Sequence, residues 1–304
     1  MGQQILFKNK SNNYIIGEIE VKKENEELRI ISSYEEYIKI QKLEQYKDFN
    51  KCNEEEIKEN IEIQINESPI PFSYYYIFKK KGKNIIKYLF KNPLIHTNCM
   101  FYECRSLTKM DLSNFNTKKV IDMSWMFFRC DSLKEIDLLN FNTKKVKSMM
   151  RMFSTCTSLQ KLDLSNFDTK NVIDMSCMFL GCESLTYLDL SNFDTKNVKY
   201  MVDMFHWCTS LTSINLSNFN TQNVISMNCM FSKCESLTNL NLSHFNTENV
   251  TSISWMFNGC ISLTNIEFDS NFNVQNIQDD TFKIKIFDNC PSLLKKNIIY
   301  IIKK

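Results

Sequence analysis

From residue 94 onward, apolar and polar positions follow one rule. In Leu185-Thr-Tyr-Leu188-Asp-Leu190 they alternate, which sends Leu188 and Leu190 to one side of an extended segment and Tyr187 and Asp189 to the other. An Asn-Phe-Asp-Thr stretch then interrupts, and apolar residues return less regularly at Val198, Met201, Phe205 and Cys208. The arrangement repeats. Cys104, Cys130, Cys156, Cys182, Cys208, Cys234 and Cys260 stand 26 residues apart, and Cys290 follows after 30. Each closes one phrase: MFYEC, MFFRC, MFSTC, MFLGC, MFHWC, MFSKC, MFNGC and IFDNC. LDLSNFDTKNV is printed twice, at 162–172 and 188–198.

A fixed period of this length marks a repeat architecture. A propeller blade needs about 40 residues and a paired-helix repeat more than about 30. What remains is a short strand, a turn and an irregular return, the layout of a leucine-rich repeat. The pattern therefore predicts a right-handed, leucine-rich-repeat-like solenoid of about seven coils with a parallel β-sheet on one face. Stacking would set like on like. Phe115, Phe141, Phe167, Phe193, Phe219, Phe245 and Phe272 make one aromatic ladder, and the phenylalanines from Phe101 to Phe287 a second.

The unit, LxxLxLSNFxTxxVxxMxxMFxxCxS, resembles the BspA-like leucine-rich repeats, and more closely the related repeats of mycoplasma lipoproteins. The resemblance covers about residues 94 to 293, with eight copies in register. It implies a surface protein acting in adhesion and partner binding, and it brings no catalytic residues to transfer. The chain departs from the exported members in showing no recognisable leader.

Residues 1–93 lie outside the repeat and predict a small mainly-β (α+β) module capping the first coil, with a separate functional module as the rival reading. YIIGEIEV, LRIIS and IEIQI read as strands, SYEEYIKIQKLEQY as a helix and KCNEEEIKEN as a loop or helix start. FSYYYIFKKKGKNIIKYLF reads as a hairpin turning at Lys81-Gly82-Lys83. Residues 94–293 form the repeat region. The last unit loses register near Glu267-Phe268-Asp269-Ser270 and Asp279-Asp280-Thr281, and residues 294–304 are expected to be a closing cap.

Composition narrows the function. Lys plus Arg number 37 and Asp plus Glu 35, a balance that implies neither nucleic acid nor an anionic membrane. Only 5 Gly and 4 Pro argue against disorder and Gly-rich phosphate loops. No apolar run approaches the ~20 residues of a membrane span. The start has no apolar h-region, and position 6 is Leu where a myristoylation signal on Gly2 wants Ser or Thr. The expectation is a cytoplasmic monomer, with the cell surface as the alternative the family resemblance implies.

The candidate chemistry is mostly periodic. The thiol ladder reads as buried small hydrophobes, without the paired spacing of a zinc site. Cys99, Cys177 and Cys229 share a place with Trp125, Arg151, Asp203 and Trp255, which predicts an exposed or half-exposed position and candidate reactive thiols, with partial burial as the alternative. Asn114, Asn140, Asn166, Asn192 and Asn218, then His244, are expected to satisfy turn backbone, His244 as a satisfied structural histidine. Asp168-Thr169 and its equivalents predict local side-chain turns and no calcium site. His96, His206 and His244 offer no catalytic cluster, so no enzyme, cofactor or metal is expected.

Two charged lines remain. Asp111, Asp137, Asp163 and Asp189 point outward from the strands and continue as Asn215, Asn241 and Glu267, with Tyr187 beside them. Lys118, Lys119, Lys144, Lys145, Lys147, Lys170, Lys196 and Lys199 form a basic stripe elsewhere on the coil, without the interleaved aromatics of a nucleic-acid surface. The expected function is a non-enzymatic protein-interaction scaffold that binds through Asp111, Asp137, Asp163, Tyr187, Asp189, Asn215 and Asn241; the alternative is a surface-displayed adhesin.

Overall fold

The computed structural model describes residues 12–46, 48–269, 271–272 and 285–291; the expected cap at 294–304, Ser270 and Asp279-Asp280-Thr281 lie outside them. The alternation of YIIGEIEV becomes β1 (Tyr14–Val21), with Ile15, Ile19 and Val21 on its buried side. There follow β2 (Glu26–Arg29), α1 (Tyr34–Ile40), α2 (Glu54–Asn60), β3 (Ile61–Ile65), β4 (Ser68–Ile70), β5 (Tyr75–Phe78) and β6 (Gly82–Phe90). The first two repeat units supply β7 (Leu107–Asp111) and β8 (Glu135–Asp137). These complete a six-stranded mixed sheet in the order β4-β3-β6-β1-β7-β8, so the N-terminal module pairs directly with the first unit through β1 and β7.

The expected hairpin at 72–90 does not form. β5 pairs with β2, while β6 lies between β1 and β3. The reason is burial: β6 carries Ile86, Tyr88 and Phe90 into the core, which a central place satisfies and an isolated hairpin would not. α1 starts where the Ser33 hydroxyl accepts the Glu36 N–H at 3.1 Å, with Glu35 and Glu36 in its first turn. α2 places Glu56 so that its carboxylate accepts the N–H groups of Ile95 (2.6 Å) and His96 (3.2 Å), which ties the module to the repeats.

The predicted leucine-rich-repeat-like solenoid, with a parallel sheet running along one face, is overturned. The chain is mainly β, with several small separate sheets. β7 and β8 belong to the mixed sheet. β9 (Tyr187–Asp189) pairs only with β10 (Ser213–Asn215), and β11 (Asn239–Leu242) only with β12 (Asn265–Phe268). Lys161–Asp163 forms no strand. Across this break, turn side chains join one unit to the unit before. The Asn166 amide nitrogen lies within hydrogen-bonding distance of the carbonyls of Leu138, Leu139 and Phe141, and Asn192 repeats this on Leu164, Ser165 and Phe167.

The units nonetheless stack in register, through the MF phrase. The Phe101 N–H donates to Met126 O at 2.9 Å, and Phe127, Phe153, Phe179, Phe205 and Phe231 repeat this onto the Met 25 residues on at 2.9–3.0 Å. Rings follow the backbone: Phe101, Phe127, Phe153, Phe179, Phe205, Phe231, Phe257 and Phe287 stack with centroids 5.1–6.0 Å apart and planes within 15°. In the other expected ladder, Phe115–Phe141 is tilted at 60°, while Phe141–Phe167 and Phe219–Phe245 are stacked. Buried threonines stitch the turns: Thr143 Oγ1 donates to Asp168 O (2.9 Å) and accepts the Asp168 N–H (2.8 Å), and Thr117, Thr195 and Thr221 do likewise.

Each MF turn needs left-handed backbone at the third position of its i→i+3 hydrogen-bonded turns, as type II turns do. Cys99, Trp125, Arg151, Cys177, Asp203, Cys229 and Trp255 have φ of 54–60°, and the residues before the ladder thiols 55–72°, among them Thr155 at 56° and Gly181 at 70°. A β-branched residue is strained there, and a Cβ on Gly181 would stand 3.1 Å from Thr155 Cγ2. Thr155→Gly is expected to stabilise the protein by about 1 kcal/mol, read as a raised Tm; a lowered Tm would refute the strain.

Glu56 makes a second prediction. Burial pushes its carboxyl up, but the hydrogen bonds from His96 and the two backbone N–H groups outweigh burial and hold it below its ordinary 4.5. A depressed carboxyl stabilises above its unfolded value and loses that contribution as pH falls through the folded one. The stability gap between the native chain and Glu56→Gln, from denaturant melts, should be present at pH 7 and close as pH drops below about 4.5.

Candidate functional site

The outward acidic line proves to be a row of turn-formers. One carboxylate oxygen of Asp111, Asp137 and Asp163 accepts the N–H two residues on, from Ser113, Leu139 and Ser165, each at 2.9 Å; Asp189 takes that of Ser191 at 3.0 Å. Asn215 and Asn241 do the same with Ser217 (3.2 Å) and Ser243 (3.0 Å). The geometry needs only a short acceptor, which is why Asn replaces Asp in the later units. Backbone and then side-chain hydrogen bonds from Ser165 and Ser191 hold Asp163 and Asp189 below the usual carboxylate range, so both are ionised at neutral pH.

The seven candidate residues fall in separate groups. Asp111 lies opposite Asp137 across β7 and β8, and the Lys109–Glu135 ion pair at 2.7 Å runs beside them. Asp163 sits on the segment without a strand. Asp189 lies opposite Asn215 across β9 and β10, with hydrogen bonds from Tyr187 and Asn215 helping to hold its charge. Asn241 lies opposite Glu267. Tyr187 is 51% exposed, and Leu139, after Asp137, is 64% exposed. Of the lysine stripe, Lys144, Lys145, Lys147 and Lys199 line one groove.

The turn chemistry expected of the Asp/Asn-Thr pairs is present: the Asp168, Asp194 and Asn220 side chains accept N–H groups two residues on at 3.0–3.2 Å. His244 differs from expectation. Its Nε2 is buried with no hydrogen-bond partner among the described residues, because the ring stands edge-on to Phe245 at 5.3 Å, where an Asn would reach a carbonyl.

All twelve cysteines are free thiols. Those of the ladder are buried, and Cys130, Cys156, Cys182, Cys208, Cys234, Cys260 and Cys290 each donate to a phenylalanine carbonyl of the preceding unit at 2.9–3.3 Å. Burial pushes Cys104 and Cys208 up to about 12. The expected exposure of Cys99 and Cys177 is overturned: they are 1% and 5% exposed. α1 covers Cys99 with Tyr34 and Ile38 in a cluster that includes Tyr37, Tyr102 and Trp125, and Arg151 lies 4.6 Å above the Trp125 ring. Only Cys229 of the three is half-buried.

One constellation escaped the sequence reading. Asp203 accepts from His206 Nδ1 at 2.8 Å and also from the thiol of Cys229, one unit on. The signal was present, since Asp203 and Cys229 occupy the same unit position. Its order is wrong for catalysis: the carboxylate stands between imidazole and thiol, so the sulfur meets a weakly basic anion that raises its pKa and not the imidazole that would activate it. Burial and then the Asp203 charge push the thiol up to about 11, away from nucleophilic use. Among the described residues no group of His, Cys, Asp and Glu could hold a metal ion, and no helix is long and apolar enough to cross a membrane.

Structure and sequence together define a protein of stacked 26-residue units, each closed by a buried MFxxC phrase. The family model described as "Mycoplasma protein of unknown function, DUF285" matches residues 95–188 and 184–297, and the chain belongs to that family. No curated protein and no solved structure matches the chain.

Cys229 sets the prediction of this section. At pH 8 about one Cys229 thiol in a thousand is ionised, so iodoacetamide alkylation, followed by peptide mass spectrometry, should be slow and rise about tenfold per pH unit up to pH 10. Asp203→Asn removes a charge that raises the thiol, and should speed labelling at pH 8. Equal rates in both proteins would show that the carboxylate does not act on the sulfur.

Proposed function

We propose that the chain is a non-enzymatic protein-interaction scaffold that receives a basic partner segment along the row Asp111, Asp137, Asp163, Tyr187, Asp189, Asn215 and Asn241. The observation that supports it best is Tyr187, a half-exposed aromatic ring beside Asp189 and Asn215. An aromatic anchor with a polar rim is the composition of an energetic interface centre. Turn bonds hold the carboxylates in place, so a partner would order few side chains on binding. Leu139 adds an apolar contact two units away. The finer kinship with the BspA-like repeats belongs to this reading, carried by the seven copies of the MFxxC phrase and the IFDNC that follows them.

The row's structural role decides the test. Asp→Lys would break the turns, but Asp→Asn keeps the acceptor that Asn215 and Asn241 already use. A triple variant, Asp137→Asn, Asp163→Asn and Asp189→Asn, should fold with an unchanged Tm and lose most of the partner captured by the native chain in a quantitative pull-down. Tyr187→Ser should cost about tenfold or more in affinity for that partner. Undiminished capture by both variants would remove this row as the binding surface.

A further inference from the structure

The residue after each repeat's buried Val alternates in kind: Ile121, Lys147, Ile173, Lys199, Ile225 and Thr251. Backbone bonds fix these positions in one line, with Lys147 N–H on Ile121 O (2.9 Å), Ile173 on Lys147 (2.8 Å) and Lys199 on Ile173 (2.8 Å). Ile121, Lys147, Ile173 and Lys199, together with Lys144 and Lys145, line an open groove of about 620 Å³. Ile173 is 41% exposed on its floor, and all four lysines are exposed.

No lysine of the whole stripe, from Lys118 to Lys199, has an ion-pair partner among the described residues, whereas Lys58, Lys83, Lys91 and Lys109 are all paired. The acids close in sequence are engaged elsewhere: Asp122, Asp168, Asp174 and Asp194 each accept a backbone N–H two residues on, at 2.8–3.2 Å, and Asp203 accepts from His206. Unpaired cations repeated at unit spacing over an apolar floor ask for a ligand that alternates anionic and apolar groups.

Two amides choose among anions. Asn171 and Asn197 also line the groove, and their Nδ2 atoms donate to Lys144 O (2.7 Å) and Lys170 O (2.8 Å). A carbonyl partner fixes each amide's orientation, which leaves the Oδ1 atoms as acceptors. A peptide backbone brings N–H donors to meet them; a phosphodiester chain brings none. No aromatic side chain lines the groove to stack a base.

We propose that this groove binds an extended acidic peptide in which the residues facing the groove, every second one along the chain, alternate between glutamate or aspartate and an aliphatic side chain. It spans four units, from that of Phe127 to that of Phe205, whose rings are 5.6–6.0 Å apart. That is roughly 17 Å, or about five residues of extended chain. The surface is separate from the acidic row, so either can fail without the other.

Fluorescence anisotropy on the full chain tests it, with labelled Glu-Ser-Ile-Ser-Glu, pentaglutamate and a pentathymidylate as probes. The alternating peptide is expected to bind at least about tenfold tighter than either other probe, and to weaken with added salt. Lys147→Gln with Lys199→Gln should weaken it about tenfold or more, and Ile173→Asn severalfold. Lys109→Gln and the triple Asp→Asn variant should leave it unchanged. The substituted groove side chains are surface groups, so equal Tm values will separate lost binding from lost folding. Equal binding of all three probes would reduce the groove to plain electrostatics, tighter pentathymidylate binding would make it a nucleic-acid surface, and no saturable binding would dismiss it; each overturns the proposal.

Discussion

Every MF segment leaves alternate N–H groups unsatisfied within its own unit, and the next unit supplies the carbonyls. The intermediate N–H groups close local turns, as Met100 does on Thr97 and Tyr102 on Cys99. The local turn takes left-handed residues and the handover takes a carbonyl 25 residues on from Phe101 to Phe231 and 29 on at Phe257, so the register of the MF phrase is held while the rest of a unit can lengthen. A one-residue slip would unseat the ring stack, the thiol-to-carbonyl bonds and the threonine stitches together. The unbroken spacing from Cys104 to Cys260 is the trace of that constraint in the sequence. Burial supplies the stabilising free energy, since each stacked ring hides apolar area that a lone unit would expose.

The same constraint explains where the sequence is free. Positions with φ near +56° hold Cys, Trp, Arg and Asp in turn, because what they share is backbone geometry and not one environment. Under α1 that position is sealed as Cys99; three units on, it becomes the buried Cys177, and at Asp203 it meets solvent, His206 and Cys229. Side chains at such places differ between neighbours while the backbone beneath them does not. The outward rows, acidic and basic, vary for the same reason: their turn bonds require an acceptor atom or a main-chain N–H, not a charge.

Much of this was legible from periodicity. The Phe101–Phe287 stack and the buried thiols follow from which residues recur, since identical units packed in register must place like on like. The continuous strand face was not legible. The break in strand pairing at Lys161–Asp163 falls where Asn166 and Asn192 each reach three carbonyls of the unit before, which a pattern of alternation does not show. β5 was misassigned because a Lys-rich link before Gly82 reads as a hairpin turn, while the core's demand for Ile86 and Tyr88 sent β6 elsewhere. The turn role of Asp111 to Asp189 was readable in principle from the Asn at 215 and 241, but surface acidity concealed it.

The direction of the handover has a consequence for the molecule's two ends. In the MF ladder the N–H always belongs to the earlier unit and the carbonyl to the later one, so the first unit turns its own carbonyls outward. The N-terminal module meets them with donors: Ser32 N–H on Met100 O and the Asn53 amide on Asn98 O, each at 2.7 Å. Along the MF line the stack is thus vectorial, with unlike ends, and the module caps its acceptor end, while the line from Ile121 to Thr251 hands its N–H groups back the other way. Whole units could be gained or lost between the ends without disturbing this polarity, which makes the array's length an evolvable and engineerable variable. Moved to the other end of the MF line, the same Ser32 and Asn53 donors would face N–H groups.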